Sequence, residues 1–272
     1  MSIINKKIYE KKGVIKSWLK LKYLLDPEKK IFEIFGDKLK YIRMLDIGVG
    51  GGRTTIHFAD RVKEYIGIDY SAGMIETCNR RFIKNNWRHV SFRLCDVRDM
   101  RIFKENYFNL VLFSYNGLDY INHQDRIIAL NEINRILKKD GVIFFSAHNI
   151  LYTKVVFSLN QIKPSVNPFK FIFRLVRYFY KCFCYKFYNK NISNISELDH
   201  AILVDEAHNF RMKTYYIQPV EQVKQLIDLC YKDIRVFLLN GEEVSIESSL
   251  NLISDHCLYF FAKKVSHSSI KV

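Results

Sequence analysis

From Tyr41 to Asn149 short apolar runs alternate with amphipathic segments. Strands buried on both faces read as unbroken apolar runs, and the helices between them keep one polar side, so this rhythm predicts a parallel sheet flanked by helices. The runs place strands at 42–47, 65–69, 90–95, 109–113 and 142–147. Over 123–138, Ile127, Leu130, Ile133, Ile136 and Leu137 recur at helical spacing, and Asp140-Gly141 supplies a turn behind them. Upstream, 14–25 and 27–35 read as two helices; Pro27 suits a first helical turn and Gly36 the position just past an end. Downstream, 219–231 reads as a helix, with strands at 234–239 and 258–262 finishing the sheet. The expected fold is α/β: one domain over 1–272 with a doubly wound, mostly parallel sheet of seven strands.

The segment 150–211 breaks this rhythm and is expected to be an insertion over the substrate side. It divides the chain into N-terminal helices (1–40), a core (41–149), the insertion and a C-terminal part of the sheet (212–272). Between Gly141 and Ser196 there is no acidic residue but eight Lys or Arg, more than half of the chain's net charge of +15. Its centre, 169–188, reads as a helix with Lys170, Arg174, Arg177 and Lys181 on one stripe and mostly aromatic or aliphatic residues elsewhere. Two readings stay open: a lid that packs its apolar face on the domain, or a helix lying in a membrane interface. Four charges along the segment oppose a spanning helix.

The strongest local signal is Asp46-Ile47-Gly48-Val49-Gly50-Gly51-Gly52-Arg53, at the end of the first strand. Glycines there permit positive φ and a close backbone approach to a ligand at a helix N-terminus. A nicotinamide-type G-x-G-x-x-G does not fit, because Arg53 or Thr55 stands where the last glycine is required. Asp46 would also sit badly beside a pyrophosphate and well beside a cationic ligand. Asp69 ends the second strand, seventeen residues past Gly52, where a carboxylate can accept from both hydroxyls of a ribose. Asp96 ends the third, placed to accept from an exocyclic adenine amine, with Val97 to cover the ring. The fourth ends in Phe113-Ser114-Tyr115-Asn116-Gly117, a polar and aromatic tip on the same edge. A single Asp at a strand end is commonly a helix cap; three at successive ends, the first inside a glycine turn, point to a ligand crevice.

The D-x-G-x-G-x-G turn, the run Gly67-Ile68-Asp69-Tyr70-Ser71 with Met74, the Cys95-Asp96-Val97 tip and the helix-then-strand run from Leu130 to Gly141 resemble the cofactor motifs of class I S-adenosylmethionine-dependent methyltransferases. The likeness covers about 41–149 well and the last third loosely; Asp140 departs from the proline or glycine common there, at a position remote from the ligand. It implies a Rossmann-like methyltransferase fold with S-adenosylmethionine as cofactor and S-adenosylhomocysteine as product. Asp46, Gly48, Gly50 and Gly52 would hold the methionine portion, Asp69 and Tyr70 the ribose side, Asp96, Val97 and Met74 the adenine, and Ser114 with Tyr115 the near wall.

The sulfonium brings its own reactive methyl group, so the protein's part is to align the acceptor and take its proton if needed. His148-Asn149 follows the fifth strand and should face the crevice; Asp205-Glu206-Ala207-His208 and Tyr215-Tyr216-Ile217-Gln218-Pro219 come later. These strings resemble a bacterial subgroup with small or saccharide acceptors. They nominate His148 and His208, the latter oriented by Asp205, as bases, and Asn116, Asn149, Tyr215 and Tyr216 as substrate contacts; each histidine could instead be structural and each tyrosine core. Asp205–His208 also mimics a helicase string, but no G-x-x-x-x-G-K-[ST] loop accompanies it.

Composition narrows the partners. The positive balance favours an anionic small-molecule or saccharide acceptor, possible peripheral membrane contact through 169–188, or RNA. Without an RNA-binding module or an N-P-P-Y tip no specific nucleic-acid partner is expected, though an RNA methyltransferase and a non-catalytic cofactor-binding protein remain the competing functions. The six cysteines form no C-x-x-C and no zinc spacing, so no metal site and a reducing, cytoplasmic setting are expected, peripheral to the inner face of a membrane if 169–188 lies on one. The lysine-rich residues 1–12 lack the apolar stretch of a secretory signal.

Overall fold

The computed structural model describes residues 2–155, 158–159, 162, 164–206, 209–246, 250–253 and 255–265. The strands are β1 (Arg43–Ile47), β2 (Glu64–Asp69), β3 (Val90–Leu94), β4 (Phe108–Phe113), β5 (Leu137–Asn149), β6 (His200–Val204), β7 (Lys213–Ile217), β8 (Tyr231–Phe237), β9 (Glu243–Val244) and β10 (Cys257–Lys264). The helices are α1 (Ser2–Tyr9), α2 (Lys12–Leu19), α3 (Asp26–Phe35), α4 (Thr55–Phe58), α5 (Ala72–Phe82), α6 (His123–Ile136), α7 (Pro168–Tyr188) and α8 (Pro219–Asp228).

The expected seven strands form the spine in the order β3-β2-β1-β4-β5-β10-β8. β1 to β5 run parallel, and β10 is antiparallel to both β5 and β8. Three further strands join this sheet: β9 on β8, and the antiparallel β6–β7 pair, which meets the end of β5 through His148↔Tyr216 and Asn149↔Ile217. Strand β6 lies within the stretch expected to be an insertion, and reaches the sheet only through its antiparallel pairing with β7, the next strand in the chain.

Each face of the sheet buries its own core. Leu45, Ile47, Val111, Ile143 and Phe145 face α6 and α8, while Met44, Tyr65, Leu110, Leu112 and Phe144 face α3. Alternate residues of one strand point to opposite sides, so a single apolar run feeds both cores. Helix α6 starts at an Asn122 cap that accepts from the Asp125 amide at 2.8 Å, and it passes at Leu137 directly into β5. The expected turn at Asp140-Gly141 is therefore an irregularity inside a strand, marked by Asp140 at φ 56° and a register shift between Phe108 and Leu110. Helix α2 ends at Leu19 rather than reaching 25, since Leu25 is already the extended cap residue of α3.

β1 lies between β2 and β4, so the loops after β1 and β4 leave the sheet in diverging directions and open a crevice between them, as doubly wound sheets do at the switch in strand order. A buried ion pair fastens one wall. Arg53, just past the glycine turn, donates Nη1 and Nη2 to the two oxygens of Glu28 on α3 at 2.6 and 2.5 Å, with both side chains at most 5% exposed. Ser114 and Tyr259 join the same network. Two opposite charges out of water are tolerated because each satisfies the other bidentately.

Candidate functional site

The crevice holds a cavity walled by Gly48 and Gly50 after β1, Asp69 and Tyr70 after β2, Cys95, Asp96, Val97 and Arg98 after β3, and Phe113, Ser114, Tyr115, Gly117 and Tyr120 after β4. Met74 closes it from α5. Of the eleven residues named for cofactor contact, nine line this cavity; Asp46 and Gly52 do not.

Asp69 is the best-fixed group. Its Oδ2 accepts from the Gly50 amide at 3.0 Å and its Oδ1 from the Ser71 amide at 2.9 Å, which ties the second strand end to the glycine turn. Burial disfavours its charge and pushes its pKa up to about 6 against the pull of those backbone bonds. Gly48 and Gly50 sit at φ 67° and 54°, and a Cβ on Gly48 would press on the Phe113 ring at 3.2 Å. The positive φ favours glycine at both positions, and at Gly48 the Phe113 ring also leaves little room for a side chain.

Asp96 is half-buried at the next strand end. Burial alone would raise its pKa, but Arg98 overrides it: the guanidinium binds both oxygens at 2.6 and 2.9 Å, the Arg98 amide adds a bond at 3.0 Å, and the carboxyl is held below its usual range. Arg98 is itself steadied by Asp125 at 2.9 Å. An ionised acceptor so placed, beside apolar Val97 and Met74, suits an amine-bearing aromatic ring. Together with Asp69 it forms an acceptor set that an adenosine would fit: a carboxylate at each of two neighbouring strand ends and an apolar slot.

Two expected contacts take other work. Asp46, 2% exposed, accepts from the hydroxyls of Thr54 and Tyr65, so its carboxylate braces the base of the glycine turn; burial raises its pKa to about 6. Gly52 packs against α5, where a Cβ would strike the Phe82 ring. The cavity roof was not foreseen. Lys6 and Tyr9 of α1 and Trp18 of α2 line it. Trp18 meets Tyr115 edge-on at 5.2 Å, and Tyr9 contacts Tyr70 and Tyr120 at 6.3 and 5.5 Å. Asn5, 1% exposed, anchors α1 by donating to the carbonyls of Tyr120 and Lys213, each at 3.0 Å. The available signal was a few aromatics set among the lysines of two amphipathic segments.

Beyond the cavity's Ser114–Tyr120 wall lies a second polar cluster. His148 Nδ1 is 2.8 Å from Asp119 Oδ2, and the His148 amide donates to the same oxygen at 2.6 Å. Asp119, fully buried, is countered by the fully buried Arg126, which also binds Gln222. With Nδ1–H directed at a carboxylate, His148 Nε2 carries the lone pair; Asn116 Nδ2 lies 3.1 Å from it as donor. Asn116 sits at φ 57° and its amide donates to Ser146 Oγ at 2.7 Å. The Tyr216 ring is 5.0 Å from the His148 ring, and its hydroxyl donates to Asp205 at 2.9 Å. Thus Asn116, His148, Tyr216 and Asp205 come together, one layer behind the cavity wall. Asp119 was missed, though a carboxylate three residues past Asn116 on the fourth strand's tip was there to be noticed.

Two expected substrate contacts are overturned by geometry. Asn149, 2% exposed, spends its side chain on the Ile253 and Asp255 carbonyls and the Leu151 amide, pinning the chain at the end of β5. Tyr215, fully buried, points to the other side of β7, where its hydroxyl lies 2.7 Å from His123 Nδ1 and Arg126 stacks on its ring. His208 lies outside the described residues. Among the described residues no group of three metal-binding side chains converges.

Residues 44–141 match a family model described as a methyltransferase domain. The chain is 26% identical over 116 residues to the putative methyltransferase YqeM of Bacillus subtilis and 27% identical over 178 residues to the ubiquinone biosynthesis O-methyltransferase of Pelagibacter ubique. These matches cover 42% and 58% of this chain, and 46% and 71% of the two relatives. The uncharacterized methyltransferase YcgJ of Bacillus subtilis matches over 40% of its length at 28% identity, so the chain spans less than half of either Bacillus relative. Among solved structures, a putative S-adenosylmethionine-dependent methyltransferase from Listeria monocytogenes superposes with a TM-score of 0.57 at 19% identity, covering 89% of this chain and 99% of that one. The 1,6-didemethyltoxoflavin-N1-methyltransferase of Burkholderia thailandensis, solved with S-adenosylhomocysteine, gives 0.56 at 13% identity, covering 97% and 88%.

Proposed function

We infer that this chain, a class I S-adenosylmethionine-dependent methyltransferase by its core motifs and its sheet, transfers the cofactor's methyl group to an oxygen or nitrogen of an anionic small molecule or saccharide. The observation that carries the cofactor half is Asp69, locked by the Gly50 and Ser71 amides on the cavity wall with Asp96 at the adjoining strand end. When bound, the cofactor supplies an electrophilic methyl group on a sulfonium. Asp69 accepts from the ribose hydroxyls and Asp96 from the adenine amine, while Val97 and Met74 hold the ring between apolar surfaces. Gly48 and Gly50 let the methionine portion lie against the backbone, and Tyr9 and Trp18 exclude water from above.

The acceptor half rests on the Asp119–His148 pair. Asp119 fixes the imidazole with its proton on Nδ1, leaving Nε2 to take a proton from an acceptor hydroxyl or ammonium and stabilising the imidazolium that results. Asn116 Nδ2 lies 3.1 Å from Nε2, and Tyr216 with Asp205 borders the same space. Asp119 and Arg126 are positioning residues, acting through His148. His208, three residues past Asp205 in sequence, is the second candidate base.

The test is release of S-adenosylhomocysteine on addition of small hydroxylated and aminated acceptors, sugar phosphates among them, with transfer RNA as control. Turnover with a member of the small-molecule set supports the reading. Release with RNA alone, or cofactor binding with no release for any acceptor, overturns it.

A further inference from the structure

Helix α7 meets the protein along one side and, near its C-terminal end, through Cys184 and the contacts of Tyr180 and Tyr188 with Phe210. Asn167 caps it by accepting from the Lys170 amide at 3.1 Å, and Pro168 opens its first turn. Leu175, Tyr178, Cys182 and Tyr185, spaced three and four apart, form its half-buried or buried side, and near the C-terminal end Cys184, about 100° further round, is buried as well. The opposite side carries Phe169, Phe173, Val176, Phe179, Phe183 and Phe187, spaced four, three, three, four and four apart. These six apolar side chains are 55–82% exposed. The expectation of a lid that packs its apolar face on the domain does not describe this helix: its most apolar face points away from the body.

The charges on α7 follow the same geometry. At 100° per residue Lys170, Arg174, Arg177 and Lys181 fall along one border between the outward and inward faces, and Lys186 falls on the other border. Among the described residues, Lys170 and Arg177 make no ion pair, and the helix itself contains no acidic residue. Long cationic side chains bordering an apolar face can place that face among acyl chains while their own heads reach lipid phosphates. Among the described residues no helix is long and apolar enough to cross a membrane. A second copy of the chain fits poorly on this face, since it would bring its own Lys170 and Arg177 alongside the same two cations of the first.

We propose that the outward face of α7 docks onto an anionic lipid bilayer, lying in the plane of the headgroups with the six apolar side chains inserted. The docking stands on the helix alone and is independent of the methyl-transfer reading. Its foot adds a functional consequence. Tyr185 packs in one cluster with Ile150, Ala201, Leu203 and Tyr216, and Tyr216 borders His148. Docking through α7 therefore brings the His148 side of the protein close to the headgroup layer, where an acceptor carried on a lipid would be presented.

Co-sedimentation of the full chain with phosphatidylcholine vesicles, with and without phosphatidylglycerol, tests the proposal. Sedimentation is expected only with the anionic vesicles, and high salt should weaken it on the order of tenfold or more, because Lys and Arg near such a surface each contribute to the attraction. Phe173→Ser, Phe179→Ser and Phe183→Ser together, or Lys170→Gln with Arg177→Gln, should each reduce partitioning on the order of tenfold or more. S-adenosylhomocysteine binding measured on the same samples should be unchanged, showing that the variants remain folded. Should the serine variant fold poorly, the glutamine pair and the salt series decide. Wild-type protein that ignores anionic vesicles, or variants that partition like wild type, would overturn the docking. So would a concentration-dependent dimer that the serine variant dissociates while no vesicle binding occurs, since the face would then belong to a second copy.

Discussion

The two polar centres beside the crevice are assembled in contrasting ways. Asp69 is held by the amides of Gly50 and Ser71, from the loops after two neighbouring parallel strands, and every element of that arrangement lies within about one β-α-β unit. His148 is held by Asp119 from the turn after β4, Asp119 by Arg126 on α6, and Arg126 by Gln222 on α8, nearly a hundred residues further along. The first centre is built by backbone at fixed spacing, so it reads as a motif. The second is built by side chains converging from distant elements, and its residue spacing carries no message of its own.

The largest expected effect concerns the buried Arg53–Glu28 network on the crevice wall. Arg53→Ala leaves Glu28 charged and buried without its partner and should cost roughly 3–5 kcal/mol of stability. Denaturant unfolding measures it; a midpoint close to wild type would mean that water or another cation reaches Glu28. His148→Ala should leave S-adenosylhomocysteine affinity intact and lower turnover by about 10²–10⁴-fold. Equal turnover would move proton removal elsewhere, with His208 the first residue to examine. Tyr215 and Tyr216 provide a finer contrast between adjacent positions. Tyr215→Phe removes a hydrogen bond on the core side and should cost about 1 kcal/mol of stability with turnover unchanged. Tyr216→Phe should affect turnover or acceptor KM instead, and the reverse pattern would place the acceptor on the opposite side of β7.

A smaller effect follows from the raised carboxylates. The folded-state pKa values of Asp46 and Asp69, about 6, lie above their ordinary value of 3.8. Each therefore favours the folded state most fully below about pH 3.8, and this contribution is lost as pH rises through 6. Ligand binding has the opposite dependence at Asp69. Ribose hydroxyls donate to the ionised carboxylate, so S-adenosylhomocysteine affinity should be flat above about pH 6 and fall below it, by no more than about tenfold per pH unit. Affinity that rises on acidification would contradict an ionised Asp69 in the complex.

How far the sequence could be read follows from the same contrast. The spine strands, α3, α6 and the glycine turn announce themselves through period, capping and φ demands that are local in the chain. Asp46 announced itself by position but not by role, because whether a buried carboxylate faces ligand or braces a turn depends on Thr54 and Tyr65. Asn149 and Tyr215 were misjudged for a related reason: alternation along a strand separates Tyr215 from Tyr216, but which of the two faces His148 is fixed only by the pairing of β7 with β5. The roof formed by α1 and α2 depends on Asn5 reaching two backbone carbonyls far away in the chain, which no spacing reveals.

The most direct test of the cofactor site is a calorimetric titration of S-adenosylhomocysteine into the wild-type chain and into Asp69→Ala. Micromolar binding to the wild type is expected, with a loss of roughly tenfold to a hundredfold in the variant, matching the 1.5–3 kcal/mol of hydrogen bonds to a charged acceptor. Wild-type protein that gives no heat with S-adenosylhomocysteine, or a variant that binds it as tightly as wild type, would contradict the account.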